Sequence, residues 1–362
     1  MMTRKKLASR KIALIGAGKI GKLAALLLGK KYDVTVYDIN EDRARETASA
    51  VCEYGQLDVN HAENLRAALD GKEFVISCCP YFCNEKIALA ARDLGLGYSD
   101  LSEDIGSGMI IEQIASSATT SFVPHCGLAP GFTQIIANHM VQLYDPATSV
   151  AIRVGAIPEN PTNALKYNLT WSTDGLINEY GNPCEVLLNG QLRQVQPLEG
   201  YERLIIGDVE YEAFNTSGGL GTLARSLTGK VKDLSYKTLR YLGHRDLMKF
   251  LMVDLQLNEY RGILKQILES AVPTTHQDRV VILISVVGKA GGSLSENTYT
   301  KIIPHGEIDG LHWTAIQIAT ASSLAAVVDL CLQGKISKKG LIRQEEIDFK
   351  AFSESQYGSV FR

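Results

Sequence analysis

The chain has no uncharged apolar run of the roughly 18 residues that a helix needs to cross a bilayer, and its last long helical stretch, Trp313 to Leu332, reads as too polar to do so. Net charge is nearly absent as well. With 37 Lys and Arg against 40 Asp and Glu, the balance of −3 gives no electrostatic reason to expect nucleic acid or an acidic membrane as a partner. The seven cysteines (52, 78, 79, 83, 126, 184 and 331) are odd in number and contain no C-x-x-C pair. The basic start M-M-T-R-K-K-L-A-S-R-K runs into a short strand and a glycine loop rather than into an apolar secretion core. Reduced thiols and a cytoplasmic location are therefore expected. Cys79, Cys83 and His125 match no zinc spacing, so no metal is expected either. Internal repeats and low-complexity stretches are also missing.

What remains is an ordinary globular composition, 45% hydrophobic and 21% charged, in 362 residues, a length that suggests about two domains. The organising stretch is Lys11 to Asp38. Ile12 to Ile15 is a short apolar strand, Gly16, Gly18 and Gly21 form G-x-G-x-x-G, and a helix follows through Leu28 to Gly29. Val34 to Tyr37 is the next strand and ends at Asp38. In such a unit the first glycine makes the tight turn, the second admits a pyrophosphate, and the third lets helix and strand pack. The helix start, from Lys19 and Ile20, then aims N–H groups and a positive dipole end at the anion. Asp38 stands where a carboxylate accepts hydrogen bonds from an adenosine ribose, and its charge opposes a 2′-phosphate. NAD is the expected cofactor, with Arg43 keeping NADP open.

Strand and helix alternate onward to about residue 125. Helices are expected at Ala44 to Val51, Leu65 to Leu69, Asn84 to Leu94 and Ile110 to Ala118, and strands at Gln56 to Val59, Phe74 to Cys78 and Gly97 to Leu101. That alternation predicts a doubly wound parallel sheet, a Rossmann domain over residues 1–125. Asp58 and Val59, and Cys79 and Pro80, then lie near the carboxyl ends of strands, where such sheets bind ligands, and join the cofactor candidates. Beyond Pro124 the pattern changes. A helix follows Pro130-Gly131, and longer strands are expected at Ser149 to Ile157, Tyr167 to Trp171, Arg203 to Phe214, Leu234 to Tyr241 and Arg279 to Val287. Helices at His244 to Leu255 and Tyr260 to Ser270 are grouped. This predicts an α+β substrate and dimerisation domain with a mixed sheet over 126–312, and C-terminal helices from about 313 that return to the first domain.

A set of short segments, in order, carries a resemblance: the glycine loop, Ile76-Ser77 with Pro80-Tyr81, Asp100-Leu101-Ser102, Gly127-Leu128-Ala129-Pro130-Gly131, Tyr167 with Thr170-Trp171-Ser172, Glu179-Tyr180, Glu212-Ala213-Phe214, and Thr238-Leu239-Arg240-Tyr241 with Gly243-His244. The chain resembles the saccharopine dehydrogenase-like oxidoreductases, the group of saccharopine reductase and lysine 6-dehydrogenase. The resemblance implies hydride transfer between a nicotinamide and the carbon of a C–N bond in an amino acid, by a homodimeric enzyme of lysine metabolism. Ala129, where saccharopine reductases tend to have Asp, points toward the lysine 6-dehydrogenase side. His125 stands where that side carries Asp.

Amine oxidation needs a neutral amine, a group to take its proton, and an activated water to hydrolyse the imine. His125 is the first candidate base, with a structural hydrogen-bonded role as the alternative. Asp100 is a candidate for holding a substrate ammonium or orienting a water, and Glu103 is a second candidate; for both, capping or solvated roles stay open. Arg240 suits an α-carboxylate, which a guanidinium grips with two hydrogen bonds, or else a structural ion pair. Tyr81, Ser102, Trp171, Asn215 and His244 complete the substrate candidates. Trp171 is cleft wall or core, His244 is a substrate contact or a helix-end residue, and the loop Asn215 to Gly219 binds an anion or turns the chain. Two non-catalytic functions also fit: an NAD-binding sensor, and a dimeric scaffold.

Overall fold

The computed structural model describes residues 10–48, 52–336 and 338–362. The chain divides into two compact units, one running to Gly127 and taking in residues 320–360 and 362, the other covering 128–319 with Phe361.

In the first unit β1 (Lys11–Ile15), α1 (Lys19–Gly29), β2 (Asp33–Asp38), α2 (Glu41–Ala48), β3 (Glu53–Gln56), α3 (Ala62–Leu69), β4 (Phe74–Ser77), α4 (Asn84–Leu94), β5 (Gly97–Asp100), α5 (Ile105–Ala115) and β6 (Ser121–Val123) alternate. Their strands form a parallel sheet of order β6-β5-β4-β1-β2-β3, to which the short strand Gly340–Leu341 adds beyond β6. The order reverses between β1 and β4, which places the glycine loop at the topological switch point of a Rossmann sheet. β1 and β4 are apolar because both sheet faces are covered: Ile12, Ala13, Leu14, Val75 and Ile76 are wholly buried.

The third strand lies earlier than expected. Leu57 and Val59 are buried against the core, but beyond the strand, while the pairing residues Glu53 to Gln56 sit at the sheet edge and are mostly exposed. An edge strand need not be apolar, so its composition concealed it. The expected helix through Val51 is seen as far as Ala48, with 49–51 outside the described residues.

The second unit begins with α6 (Phe132–Val141) and continues through β7 (Ala147–Pro158), α7 (Thr173–Gly181), β8 (Cys184–Leu188), β9 (Gln191–Val195), β10 (Glu202–Ile206), β11 (Val209–Asn215), α8 (Leu223–Leu227), β12 (Asp233–Tyr241) and α9 (His244–Lys249). It then passes through α10 (Arg261–Ala271), β13 (Asp278–Ala290), β14 (Ser293–Pro304) and the hairpin β15 (Gly306–Ile308) and β16 (Leu311–Trp313). Its sheet has the order β10-β11-β12-β7-β13-β14, with β8 and β9 attached to β12. Only β12 and β7 run parallel among the paired strands of this mixed sheet.

Two strand expectations fail here for physical reasons. Arg203 to Phe214 is a hairpin, because Gly207 and Asp208 both take positive φ (57° and 65°), the twist that a tight two-residue turn requires. Tyr167 to Trp171 is buried and strand-like in composition, yet its backbone bonds to Pro273 and Asn163 instead of to a ladder. The helix α11 (Ala315–Leu332) starts two residues after Trp313 and passes from the second unit into the first. By length and composition it is apolar enough to cross a membrane, with mean hydropathy 1.7, contrary to the expectation from its polar residues. The helix is 72% buried inside the protein, as a core helix is. In the first unit its Asp329 accepts hydrogen bonds from Tyr32 and Lys31, and Tyr357 donates to the Leu27 carbonyl.

Candidate active site

The glycine loop is built without slack at two of its three glycines and left open at the third. A Cβ on Gly21 would fall 1.9 Å from the Gly16 oxygen, and one on Gly16, whose φ is +103°, would come within 2.7 Å of the Cys78 backbone. At Gly18 a Cβ would meet nothing within 4 Å. No protein contact demands glycine there, so the open space suits a ligand. Helix α1 starts at Gly18 with no side-chain cap and no acidic residue in its first turn, which leaves its positive end for an anion. Asp38 closes the loop from the next strand: its carboxylate accepts the Ala17 N–H at 2.8 Å and the Asn40 N–H at 2.9 Å. Each carboxylate oxygen keeps a further lone pair, as ribose hydroxyls require. Lys19 and Ile20 form the helix start at this edge.

The other cofactor candidates divide. Cys79 and Pro80 follow β4, and the Cys79 N–H lies against the glycine loop. Asp58 is turned to a local task, accepting Asn60 N–H and side-chain hydrogen bonds that hold its carboxyl below the usual range, and Val59 is core. Both lie just beyond the end of β3. Tyr81 lies in a single helical turn, half-buried, with its carbonyl accepting from Ser107.

At the end of β5 a polar cluster assembles. Asp100 is fully buried, and its oxygens accept from Ser102 N–H (3.0 Å), His125 N–H (3.1 Å) and the Tyr98 hydroxyl (2.8 Å). Expected as an ammonium holder facing a cleft, it is instead the anchor that fixes the backbone on either side of the site. His125 takes a left-handed conformation (φ 62°), and its Nδ1 meets the Ser102 carbonyl at 2.6 Å. That carbonyl can only accept, so Nδ1 carries the proton and Nε2 presents a lone pair in the neutral ring. The ring rests on Gly108, where a Cβ would approach it to 2.7 Å. The Ser102 hydroxyl is buried with no hydrogen-bond partner. Helix α5 is capped by Asp104, not by Glu103. Glu103 is left half-buried, and burial pushes its carboxyl up to about 7, the charges of Asp104 and Asp100 adding to the effect. Gly108 and Tyr98 carried no signal in the sequence, since nothing local told that a ring or a carboxylate would arrive beside them.

The second unit has its own buried cluster. Arg240 on β12 is 2% exposed, donates from Nε to the Tyr180 hydroxyl (2.8 Å) and from Nη1 to the Leu239 carbonyl (2.9 Å), and stacks over the Tyr167 ring at 4.9 Å. Among the described residues no carboxylate hydrogen-bonds the guanidinium; the Glu179 charge acts on it through space. The cross-strand neighbour Glu212 turns away to accept the Gly243 and Arg245 N–H groups at the start of α9.

The bonds beyond Arg240 have a forced direction. Tyr180 accepts from Arg240, so its hydroxyl proton goes to His244 Nε2 at 3.0 Å, and His244 Nδ1 donates to the Leu165 carbonyl at 2.8 Å. Burial first, and then the Arg240 charge, push this histidine down to about 3. His244 is thus corrected from a substrate contact to a neutral positioning residue with both nitrogens engaged. Trp171 donates to the Tyr167 hydroxyl at 3.1 Å and walls the cluster. Asn215 is also corrected: its amide donates to the Gln196 carbonyl and packs on Gly200, so it holds a chain reversal rather than an anion. Among the described residues no group of three His, Cys, Asp or Glu is placed to hold a metal ion.

Known proteins resemble the chain over both of its units. Residues 12–123 match the saccharopine dehydrogenase NADP binding domain, and residues 127–355 match the saccharopine dehydrogenase C-terminal domain. The apo saccharopine dehydrogenase (L-Glu forming) of Saccharomyces cerevisiae superposes with a TM-score of 0.80 at 17% identity, over 95% of this chain and 96% of that one. A DAP dehydrogenase of C. glutamicum in complex with DAP gives 0.50 at 11% identity over 98% of both chains. The mitochondrial alpha-aminoadipic semialdehyde synthase of Rattus norvegicus is 23% identical over 199 residues, 51% of this chain, and the match spans 21% of that longer protein. The chain belongs to the saccharopine dehydrogenase family of oxidoreductases, and its cofactor is a nicotinamide dinucleotide.

Proposed function

We propose that the protein is an NAD-dependent dehydrogenase that acts at the C–N bond of an amino acid and recognises the substrate carboxylate with Arg240. The observation that carries this reading is the Arg240 guanidinium: 2% exposed, hydrogen-bonded among the described residues to a phenol and a backbone carbonyl, and oriented by a directional chain through Tyr180 and His244. A buried cation with neutral partners costs several kcal/mol of desolvation. An anionic ligand would offset that cost and gain a planar two-bond grip.

Bound dinucleotide would supply the hydride acceptor for oxidation of the amine carbon. The glycine loop would hold its pyrophosphate at the open face of Gly18, and Asp38 its ribose hydroxyls, with a charge that disfavours the 2′-phosphate of NADP. Glu103, pushed up to about 7, exchanges protons near neutral pH and is suited to take one from the substrate ammonium. His125 presents Nε2 as an acceptor for a hydrolytic water, and the unpartnered Ser102 hydroxyl beside it is a second polar contact. Asp100 is a positioning residue for both.

Amino-acid-dependent NADH formation tests the proposal, with basic amino acids and their keto-acid conjugates as substrates. Turnover that requires the α-carboxylate supports it. NAD binding without turnover on any of them would favour a sensor instead.

A further inference from the structure

His125 takes a left-handed backbone conformation, which a residue with a Cβ keeps only where its surroundings fix it. Within the first unit one side chain from the C-terminal segment touches the residues on both sides of it. That side chain is Gln344. Its Nε2 donates to the Pro124 carbonyl at 2.7 Å and to the Cys126 sulfur at 3.2 Å. The amide has one possible direction, because a carbonyl oxygen can only accept and the Cys126 thiol already gives its proton to the Val123 carbonyl at 3.0 Å. Both Nε2 protons are thus committed to the neighbours of His125. Gln344 is 2% exposed, so water does not compete for them.

The Pro124 carbonyl and the His125 N–H belong to one peptide plane, and this plane is gripped at both ends. Gln344 holds its oxygen, and the Asp100 carboxylate accepts its N–H at 3.1 Å. Turning the plane over would carry the N–H away from Asp100 and take the φ of His125 out of the left-handed region. The imidazole would then leave the Ser102 carbonyl that fixes its Nδ1 proton. The grip therefore decides where Nε2 points. Gln344 reaches this place through sheet register: Gly340 and Leu341 pair with Ser121 and Phe122 at the sheet edge, and the Ile342 N–H bonds to the Phe122 carbonyl at 2.8 Å. The next residues of the two segments bring Gln344 beside Pro124.

We propose that Gln344 is a positioning residue: by fixing the Pro124–His125 peptide it holds the His125 ring in the Nδ1–H form, with Nε2 free to take a proton from the hydrolytic water. The second half rests on the reading of His125 as the acceptor for that water. In that step the water oxygen bonds to the iminium carbon, the C=N π pair moves to nitrogen, and the released proton goes to Nε2. Nε2 then returns its proton to the nitrogen of the carbinolamine. The C–N bond breaks, the amine leaves, and the hydroxyl proton passes to solvent as the carbonyl forms.

The test compares the full chain with Gln344→Met, Gln344→Glu and His125→Asn. Ring nitrogens are followed by NMR in protein carrying isotope-labelled histidine, the His125 signal being the one of seven that His125→Asn lacks. The unsubstituted protein should show a protonated Nδ1 and a bare Nε2. In Gln344→Met, which keeps the length but has no donor, His125 should move toward the Nε2–H form that free imidazole side chains prefer. A single turnover of that variant should still produce one equivalent of bound NADH, since hydride transfer precedes the step that His125 serves. Its steady-state rate should fall by about tenfold to a hundredfold, with NADH affinity unchanged. Gln344→Glu, whose buried carboxyl stays protonated near neutral pH and so keeps one donor, should recover the Nδ1–H signal and most of the rate. Raising the pH until that carboxyl ionises should abolish both, which decides the matter even if Gln344→Met does not fold. A Gln344→Met protein with the original ring signal and steady-state rate overturns the proposal, and a fall in Tm alone makes Gln344 structural. Loss of the single-turnover NADH also overturns it, because the defect would then precede hydrolysis. If His125→Asn turns over at the original rate, the reading of His125 fails instead, and the nitrogen spectrum still decides whether Gln344 sets the ring.

Discussion

Replacing Arg240 by methionine separates a ligand-binding role from a structural one. The substitution removes two hydrogen bonds to neutral groups, at about 1 kcal/mol each, and a stack on Tyr167 worth about 1–2 kcal/mol when desolvated. Against this, it relieves the burial of a charge that has no hydrogen-bonded carboxylate among the described residues, a cost of several kcal/mol. The two sides nearly cancel. At about 2–4 °C per kcal/mol for a unit of this size, Tm should stay within roughly 5 °C of its original value. Binding should not be spared: hydrogen bonds to charged groups are worth about 1.5–3 kcal/mol each, so losing a two-bond grip lowers kcat/KM by about two to four orders of magnitude. The assay pairs thermal unfolding with kinetics on an amino acid and on the same amine without its α-carboxylate. The original protein should prefer the carboxylated substrate by that factor, and Arg240→Met should be nearly indifferent. A loss of more than about 4 kcal/mol in stability, with an unchanged preference for the carboxylate, would refute the reasoning and make Arg240 structural.

Gly18→Ala should leave Tm unchanged and weaken NADH binding by about tenfold or more, whereas Gly21→Ala, whose Cβ would sit 1.9 Å from the Gly16 oxygen, should lower stability steeply; parallel melting and titration distinguish them. For Glu103, raised to about 7 in the folded state from an ordinary 4.5, the folded protein binds the proton more tightly than the unfolded chain. Its contribution to stability is therefore full below the ordinary value and lost as pH rises through about 7, so Glu103→Gln should be no less stable than the original at pH about 4 and more stable at pH about 8. The same variant should lose the acidic limb of kcat/KM near pH 7 and slow amine oxidation by about a hundredfold; if His125→Asn removes that limb and Glu103→Gln does not, the base is His125. Asp38→Asn keeps hydrogen-bonding capacity at the loop but removes the charge, so the ratio of NAD to NADP affinity should fall; equal affinities for the two cofactors in the original protein would remove Asp38 from cofactor choice.

The local part of this protein was legible in its residues. Gly16, Gly18 and Gly21 between a buried strand and a helix, with Asp38 closing the next strand, are set by short-range steric rules, and the sheet order places them at the switch point that those rules require. The alternation of strand and helix to Val123, and its loss afterward, likewise identified a parallel sheet followed by a mixed one, because each sheet imposes its own burial period. What only tertiary structure decided is the assignment of polar side chains that pair over long separations. Asp100 looked like a cleft carboxylate until Tyr98 and the backbone of residues 102 and 125 were seen to consume it. His244 looked available until Tyr180 and the Leu165 carbonyl took both nitrogens, 64 and 79 residues away in sequence. Glu103 stood open between catalytic, capping and solvated roles until the fold capped α5 with Asp104 and left the Glu103 carboxyl to be raised by burial. A hydrogen bond or a desolvation cost depends on what the fold brings within 3 Å, and sequence spacing carries that information only within a turn, a strand or a helix.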